Sequence, residues 1–383
     1  MEHPYRVYIG LNEQYGYSRN ILRGVHSYNK KSRRKWRFRH GQIYDNYIPS
    51  IINWKPDGMI VQCSSSTVDE ILYNCEFPVI NVSTVLSSYR LPTVAPDNGA
   101  AGALAAEHLI NCGLKQFAYW PFAFEGFFCE RAAGFVKVIK DKEFQVHNPP
   151  KKKNADIIST EKQLSTWLQN LPKPIGILCT DDIEAAQVCE ACFLTGIRVP
   201  DEVAIIGVGD EVFECEIAPI ALTSVTLPSE RIGYEAMALL ERMLNGESAP
   251  TESLRFAPLG VTMRSSTHFM AIGDKYVEEV ISYINQYASS ALSIADIAAR
   301  IPLSRRDLER RFQYERGHTM GDEIHHARVQ IARSLLLDTD LKIATIAVKA
   351  GFMNCSYFAR KFREIIGVTP LAFRLQARGT MHR

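Results

Sequence analysis

No apolar stretch in the 383-residue chain approaches the roughly 20 residues that a membrane helix needs. The start, Met1-Glu-His-Pro-Tyr-Arg-Val, has none of the basic-then-apolar run of a secretory signal. A cytoplasmic location without a membrane partner is therefore expected. The nine cysteines are an odd number, scattered from Cys63 to Cys355, and do not form the dense paired framework of a small secreted domain. Cys189 and Cys192 make a CxxC, but it lies in an apolar helical stretch with no second Cys or His pair at ligand spacing, so no metal is expected. GxxxxGK[ST], HExxH and GxSxG motifs do not occur, and Gly207-Val-Gly-Asp lacks the third glycine of a dinucleotide fingerprint. No catalytic residue and no cofactor can be assigned, and the chain does not read as an enzyme.

At this length two or three cores are expected, and 46% hydrophobic residues can fill them. Short apolar runs at Arg6–Leu11, Asp57–Val61, Pro78–Val82, Gln116–Trp120, Gly176–Cys179 and Val203–Val208 read as strands. Between most of them lie helical patterns, including Ala100–Asn111, Glu130–Lys140, Asp181–Thr195 and Ser229–Asn245. Such alternation implies parallel sheets covered on both faces. Ligands of open sheets sit beyond the carboxyl ends of the strands. The loops there, among them Asn12–Ser18, Ser83–Asp97, Pro121–Arg131, Thr180–Asp182 and Gly209–Glu211, are rich in acidic, amide and aromatic residues.

After Met263 the pattern changes. Arg264 to Gly273 has no clear period and reads as a linker, and everything downstream is helical. Ser293 with Asp296 and Thr319 with Asp322 have capping-box spacing. The tail also repeats itself: Ile294, Ile297 and Ala298 return as Ile343, Ile346 and Ala347, and Leu308, Arg310, Arg311 and Phe312 return as Phe358, Arg360, Lys361 and Phe362. Each copy reads as a helix, a tight turn and a second helix with a basic outer face, which is what a helix-turn-helix requires. Gly351 stands at the second turn, and Pro302 at the first. From Ser304 to Arg383 there are 15 Lys plus Arg against 8 Asp plus Glu, a balance of +7, whereas the rest of the chain carries −5. A basic tail on an acidic body points to a polyanion partner, here double-stranded DNA.

Residues 275 to 377 resemble the DNA-binding domain of the AraC family. The resemblance rests on Leu303-Ser-Arg-Arg-Asp-Leu-Glu-Arg-Arg-Phe, on the stretch from Ile346 to Arg363, and on Gly367-Val-Thr-Pro-Leu-Ala-Phe-Arg. It implies base-facing residues Arg306, Glu309 and Arg310 in the first unit and Asn354, Cys355, Ser356 and Arg360 in the second, with Lys361 and Arg363 on phosphates. Residues 5 to 263 resemble the periplasmic-binding-like effector domain of the lac repressor family. The matching segments are Val94-Ala-Pro-Asp-Asn-Gly, Arg131-Ala-Ala-Gly-Phe, Thr180-Asp-Asp, Val203-Ala-Ile-Ile-Gly-Val-Gly-Asp-Glu and Leu222-Thr-Ser-Val-Thr-Leu-Pro-Ser-Glu.

The fold class implied is an α/β two-lobed periplasmic-binding-protein-like sensor (1–263), a linker (264–273) and an all-α domain with two helix-turn-helix units (274–383). Lobe one would hold residues 5 to 113 plus the helix near Ser229 to Asn245. The resemblance places a small sugar, xylose or a related pentose, in the cleft. Arg131 would clamp its hydroxyls, Asp97 and Asp181 would accept or orient, and Tyr17 would stack on it. Asp210 is the further candidate, although the family's ligand-binding Asp falls one residue earlier, at Gly209. A homodimer formed through the sensor is implied, with RNA polymerase a further partner for an activator. Two alternatives stand beside this regulator: an architectural DNA-binding protein whose α/β part only oligomerises, and a sugar-modifying enzyme.

Overall fold

Alternation of buried and half-buried residues along Tyr5–Gly10 makes that segment strand β1, the first of a parallel four-stranded sheet. The computed structural model describes residues 4–120, 125–150, 157–267, 275–290, 292–316 and 318–377. The first sheet runs in the order β2 (Trp36–Gly41), β1, β3 (Gly58–Val61), β4 (Val79–Asn81). Interior β3 is buried at every position, while β2, on the edge, carries Arg37, Arg39 and His40. Helices α1 (Gly16–Lys31), α2 (Ile48–Asn53) and α3 (Ser66–Tyr73) follow successive strands.

Strand β5 (Val94–Pro96) and helix α4 (Asn98–Asn111) lead into a second, six-stranded sheet. It is built from β6 (Gln116–Trp120), β7 (Gln145–His147), β8 (Ile175–Cys179), β9 (Val203–Gly209), β10 (Thr223–Thr226) and a late strand, β12 (Gly260–Thr262). The order is β12-β10-β9-β8-β6-β7, parallel except at the β10–β12 pair. Its helices are α5 (Gly126–Asp141), α6 (Ile157–Asn170), α7 (Asp182–Leu194) and α8 (Val212–Ile217). Helix α9 (Ser229–Leu244) returns to the first lobe, and β11 (Leu254–Phe256) pairs with β5 where the chain passes between lobes.

Two helix pairs approach through reciprocal glycines. A Cβ on Gly24 would lie 1.9 Å from the Glu230 carbonyl oxygen and one on Gly233 2.1 Å from that of Ile21, so α1 and α9 touch backbone to backbone. The same holds for α4 and α5, at Gly102 against the Arg131 carbonyl (1.8 Å) and Gly134 against that of Gly99 (2.0 Å). Placement of α9 in lobe one agrees with the sequence expectation. Placement of α4 does not: Ala101, Ala105, Ala106 and Leu109 pack with Phe117, Phe135, Ile206 and Val225, so residues 98 to 113 belong to lobe two. Their small side chains fit the crowded α5 contact.

The chain divides into two compact units near residue 270. The expected linker begins too early, because Arg264 to Thr267 is bonded into the sensor. The Arg264 N–H donates to Thr223 Oγ1 (2.8 Å) and the Ser266 hydroxyl to the Ile205 carbonyl (2.6 Å). The rest of that linker, 268–273, lies outside the described residues.

The second unit has seven helices among the described residues: α10 (Lys275–Tyr287), α11 (Ile294–Ala298), α12 (Arg305–Arg316), α13 (Met320–Asp338), α14 (Ile343–Lys349), α15 (Cys355–Ile366) and α16 (Pro370–Ala377). Both expected capping boxes are present, Ser293 with Asp296 ahead of α11 and Thr319 with Asp322 ahead of α13. Ile297, Leu308 and Phe312 share a core with α10, while Phe352, Phe358, Phe362 and Phe373 form an aromatic chain in the second half. Gly351, at φ +86, brings the α14–α15 turn so near the end of α10 that a Cβ there would lie 2.4 Å from the Ala288 carbonyl oxygen.

Candidate effector cleft and nucleic-acid interface

Arg131 is held at the junction of the two lobes by the close α4–α5 contact and is 5% exposed. Its Nε donates to Asn98 Oδ1 at 3.0 Å and its Nη1 to the Thr180 carbonyl, while Phe127 lies under the guanidinium, 4.4 Å from ring centroid to Cζ. Burial pulls its pKa down to about 10, against the opposing pull of Asp181, Asp182, Tyr17 and Glu184. Among the described residues only Nε and Nη1 have acceptors, leaving donors of the planar fork for a hydroxylated ligand.

Asn98 ties this group to lobe one. Its Nδ2 donates to Thr84 Oγ1 (3.0 Å) and to Glu130 Oε2 (3.1 Å). Beside it the Phe127 N–H donates to the Thr84 carbonyl at 2.7 Å, and on the other flank Arg19 pairs with Glu211 at 2.9 Å. Lobe one contributes Ser18, whose hydroxyl donates to Gln62 Oε1 at 2.8 Å, the oxygen that also accepts the Asn12 N–H at 3.3 Å. Polar contacts thus cross between the lobes at Asn98–Thr84, Phe127–Thr84 and Arg19–Glu211.

The residues singled out from sequence fall into distinct roles here. Asp181 caps α7, accepting the Glu184 N–H at 2.8 Å; burial raises its pKa, and Arg131 and that N–H oppose the rise. Asp97 caps α4 through the Ala100 N–H at 2.9 Å, while its neighbour Asn98 is the residue that meets Arg131. Tyr17 packs against the cores of both lobes and donates its hydroxyl to the Val82 carbonyl at 2.8 Å; burial pushes its pKa up. Asp210 is committed to internal partners. It accepts from Thr226 (2.8 Å) and Thr262 (2.6 Å) and pairs with Arg264 (2.8 Å). Asn98, Phe127, Thr84 and Thr180 were missed, although Asn98 stands in the Asp-Asn segment already noted.

Gly209 has a structural reason to lack a side chain. It sits at φ +141 with the Asp182 carboxylate 3.0 Å from where a Cβ would stand. Asp182 also crowds Gly207, at 2.2 Å from a would-be Cβ, and accepts from Ser224 Oγ (2.5 Å) and the Glu211 N–H (2.8 Å).

In the helical unit, α12 and α15 each bury two residues one turn apart, Leu308 with Phe312 and Phe358 with Phe362. The opposite faces are exposed. Arg306, Glu309 and Arg310 lie on that face of α12; Glu309 pairs with Arg305 at 2.8 Å and Arg310 with Asp307 at 3.4 Å. Asn354 caps α15, accepting from the Ser356 and Tyr357 N–H groups at 2.8 and 3.1 Å, and Cys355 and Ser356 are exposed beside it. Arg360 lies over the Tyr357 ring and near Glu364, and Lys361 pairs with Glu364 at 2.8 Å. Such exposed pairs are weak and can be exchanged for phosphates or base edges.

Three family models match the chain: a XylR N-terminal domain over residues 6–99, a periplasmic binding protein-like domain over 106–267 and a helix-turn-helix domain over 297–376. With the fold and the exposed basic helices, they define a DNA-binding transcription regulator in which a periplasmic-binding-like domain precedes a helix-turn-helix domain. Within that class the chain is a homologue of the xylose operon regulatory proteins. It is 27% identical to that of Escherichia coli (strain K12) over 97% of both chains. Identity to that of Haemophilus influenzae is 26%, over 98% of this chain and 99% of the relative. The solved structure of a xylose-binding transcription activator, xylR, matches with a TM-score of 0.64 at 26% identity, covering 97% of this chain and 98% of that one.

Proposed function

We propose that this regulator senses xylose or a related pentose in the cleft between its two lobes and thereby controls DNA binding or activation by the helical unit. The observation that carries the reading is Arg131: a buried guanidinium, stacked on Phe127, with donors left over at the lobe junction. Sugars are recognised by that combination of planar donors, fixed polar groups and an aromatic face. Asp181, Asn98 and Tyr17 complete the wall, and Asp97 acts through its cap on α4. Asp210 braces the lobe-two sheet behind it. The relatives' names support the choice of sugar, and Arg306, Glu309, Arg310, Asn354, Cys355, Ser356, Arg360 and Lys361 form the DNA face.

A bound sugar shifts the regulator only by the difference in its affinity for the two lobe arrangements. Dimerisation through the sensor would place two DNA modules on a pair of half-sites, in the cytoplasm, with RNA polymerase the next partner if the bound state activates. The protein is a regulator and not a catalyst on this reading, in keeping with the relatives' names. No helix among the described residues is long and apolar enough to cross a membrane. Calorimetry with individual pentoses and hexoses tests the proposal. Xylose or a close pentose should bind with one site per chain, and absence of heat with every sugar would reject it.

A further inference from the structure

Where α12 ends and α13 begins, two imidazoles and a carboxylate meet. His318 stands just ahead of α13, and Glu323 and His326 lie three residues apart on it, hence on one face. One ligand atom from each lies within 4.8 Å of those of the other two. His318 Nε2 is 2.5 Å from Glu323 Oε2, and the His318 and His326 rings are 5.6 Å apart, nearly perpendicular. Glu323 is only 4% exposed.

A buried carboxylate needs a cation or strong donors. His318 Nε2 already meets that need at 2.5 Å, with Arg316 farther off at 3.5 Å from both oxygens, so a metal ion would take the place of the proton the two side chains share. Two imidazoles and a carboxylate with one position left open are the donor set of a three-ligand zinc site. Imidazole also suits cobalt, nickel and copper, whereas calcium and magnesium want oxygen. Tetrahedral zinc needs its ligand atoms about 3.3 Å apart. An ion there would draw together the three ligand atoms, which lie within 4.8 Å of one another.

We propose that His318, Glu323 and His326 form a binding site for a divalent transition-metal ion, zinc being the best match. The ion would fasten the end of α12 to α13, because His318 also packs edge-on against the buried Phe312 of α12, 6.1 Å between centroids. None of this depends on the identity of the sugar.

Full-length protein stripped with chelator and titrated with cobalt(II), then competed with zinc, tests the site. One cobalt per chain is expected, with ligand-field bands and no thiolate charge-transfer band, which separates this site from the nine cysteines. His326→Ala and His318→Ala should each weaken binding by more than about a hundredfold, beyond the roughly 10- to 100-fold that loss of a mere supporting group costs. Helical circular dichroism should be unchanged; His326→Asn serves if the alanine variant misfolds. Wild-type affinity in both histidine variants, a thiolate band, or no cobalt bound at all overturns the proposal.

Discussion

Asp182 Oδ1 accepts the hydroxyl of Ser224 at 2.5 Å, which latches the start of α7 to strand β10 inside lobe two. The carboxyl is 2% exposed, and burial pushes its pKa up to about 7 from an ordinary 3.8, despite the Ser224 and Glu211 donors that favour the anion. With the folded value raised, the fold prefers the protonated acid. The group's stabilisation is then complete below about pH 4 and is lost as pH rises through 7. A shift of about three units corresponds to about 4 kcal/mol. Asp182→Asn should therefore gain on the wild type steadily from pH 4 to pH 7.5 in the unfolding of the sensor. A stability difference independent of pH over that range would show that Asp182 is ionised throughout.

Removal of the Arg131 fork should separate sensing from DNA binding. Arg131→Ala leaves Asn98 Oδ1 and the Thr180 carbonyl without their donor, a cost of about 1 to 3 kcal/mol to the sensor. Pentose binding by calorimetry should vanish, and DNA retardation without sugar should remain. Arg131→Lys keeps the charge and loses the planar fork, so it should restore folding and not sugar affinity. A normal sugar response in either variant refutes the clamp.

The outcome for Asp97 and Asn98 shows why the fold was more legible than the site. Strand and helix positions follow from apolar periodicity, which made β6 readable from Gln116 to Trp120 and the tail readable as helical. Strand β2 was missed because an edge strand carrying Arg37, Arg39 and His40 has no apolar signature. Strand β10 was not read as a strand because Thr-Ser-Val-Thr buries hydroxyls, each bonded to a partner that only the fold supplies. In the site, a one-residue step at a helix start decides whether a side chain caps or enters the cleft, and at α4 the expectation fell on the capping residue. Asp210 likewise takes partners from β10 and β12, 16 and 52 residues away.

The proposed dimerisation through the sensor has a testable surface. Phe193 and Leu194 at the end of α7 and Phe213 and Ile217 on α8 are 63 to 75% exposed. Helices α7 and α8 pack on one another in lobe two, and exposed apolar side chains on them are candidates for the proposed association. Phe213→Asp should halve the mass measured by light scattering and weaken binding to a paired half-site operator while leaving sugar affinity alone. A wild-type mass of one chain would reject the dimer, and a dimer mass unchanged by the substitution would reject these helices as its interface.

The exposed ion pairs on α12 and α15 predict two different DNA phenotypes. Among the described residues Arg310 pairs with Asp307 at 3.4 Å, a long and solvent-screened contact, so little is lost when its guanidinium turns to a guanine edge. Arg310→Ala should weaken specific binding by about 1 to 3 kcal/mol and relax discrimination at one base pair, with little effect on non-specific DNA. Lys361 is a point charge paired with Glu364 at 2.8 Å, and a phosphate would replace Glu364 as its partner. Lys361→Ala should weaken binding to all sequences alike and lower the dependence of log affinity on log salt by about one unit. Retardation assays across a salt series distinguish the two. If Lys361→Ala changed base preference, or Arg310→Ala changed only the salt slope, the assignment of base-reading and phosphate-holding residues on these helices would be reversed.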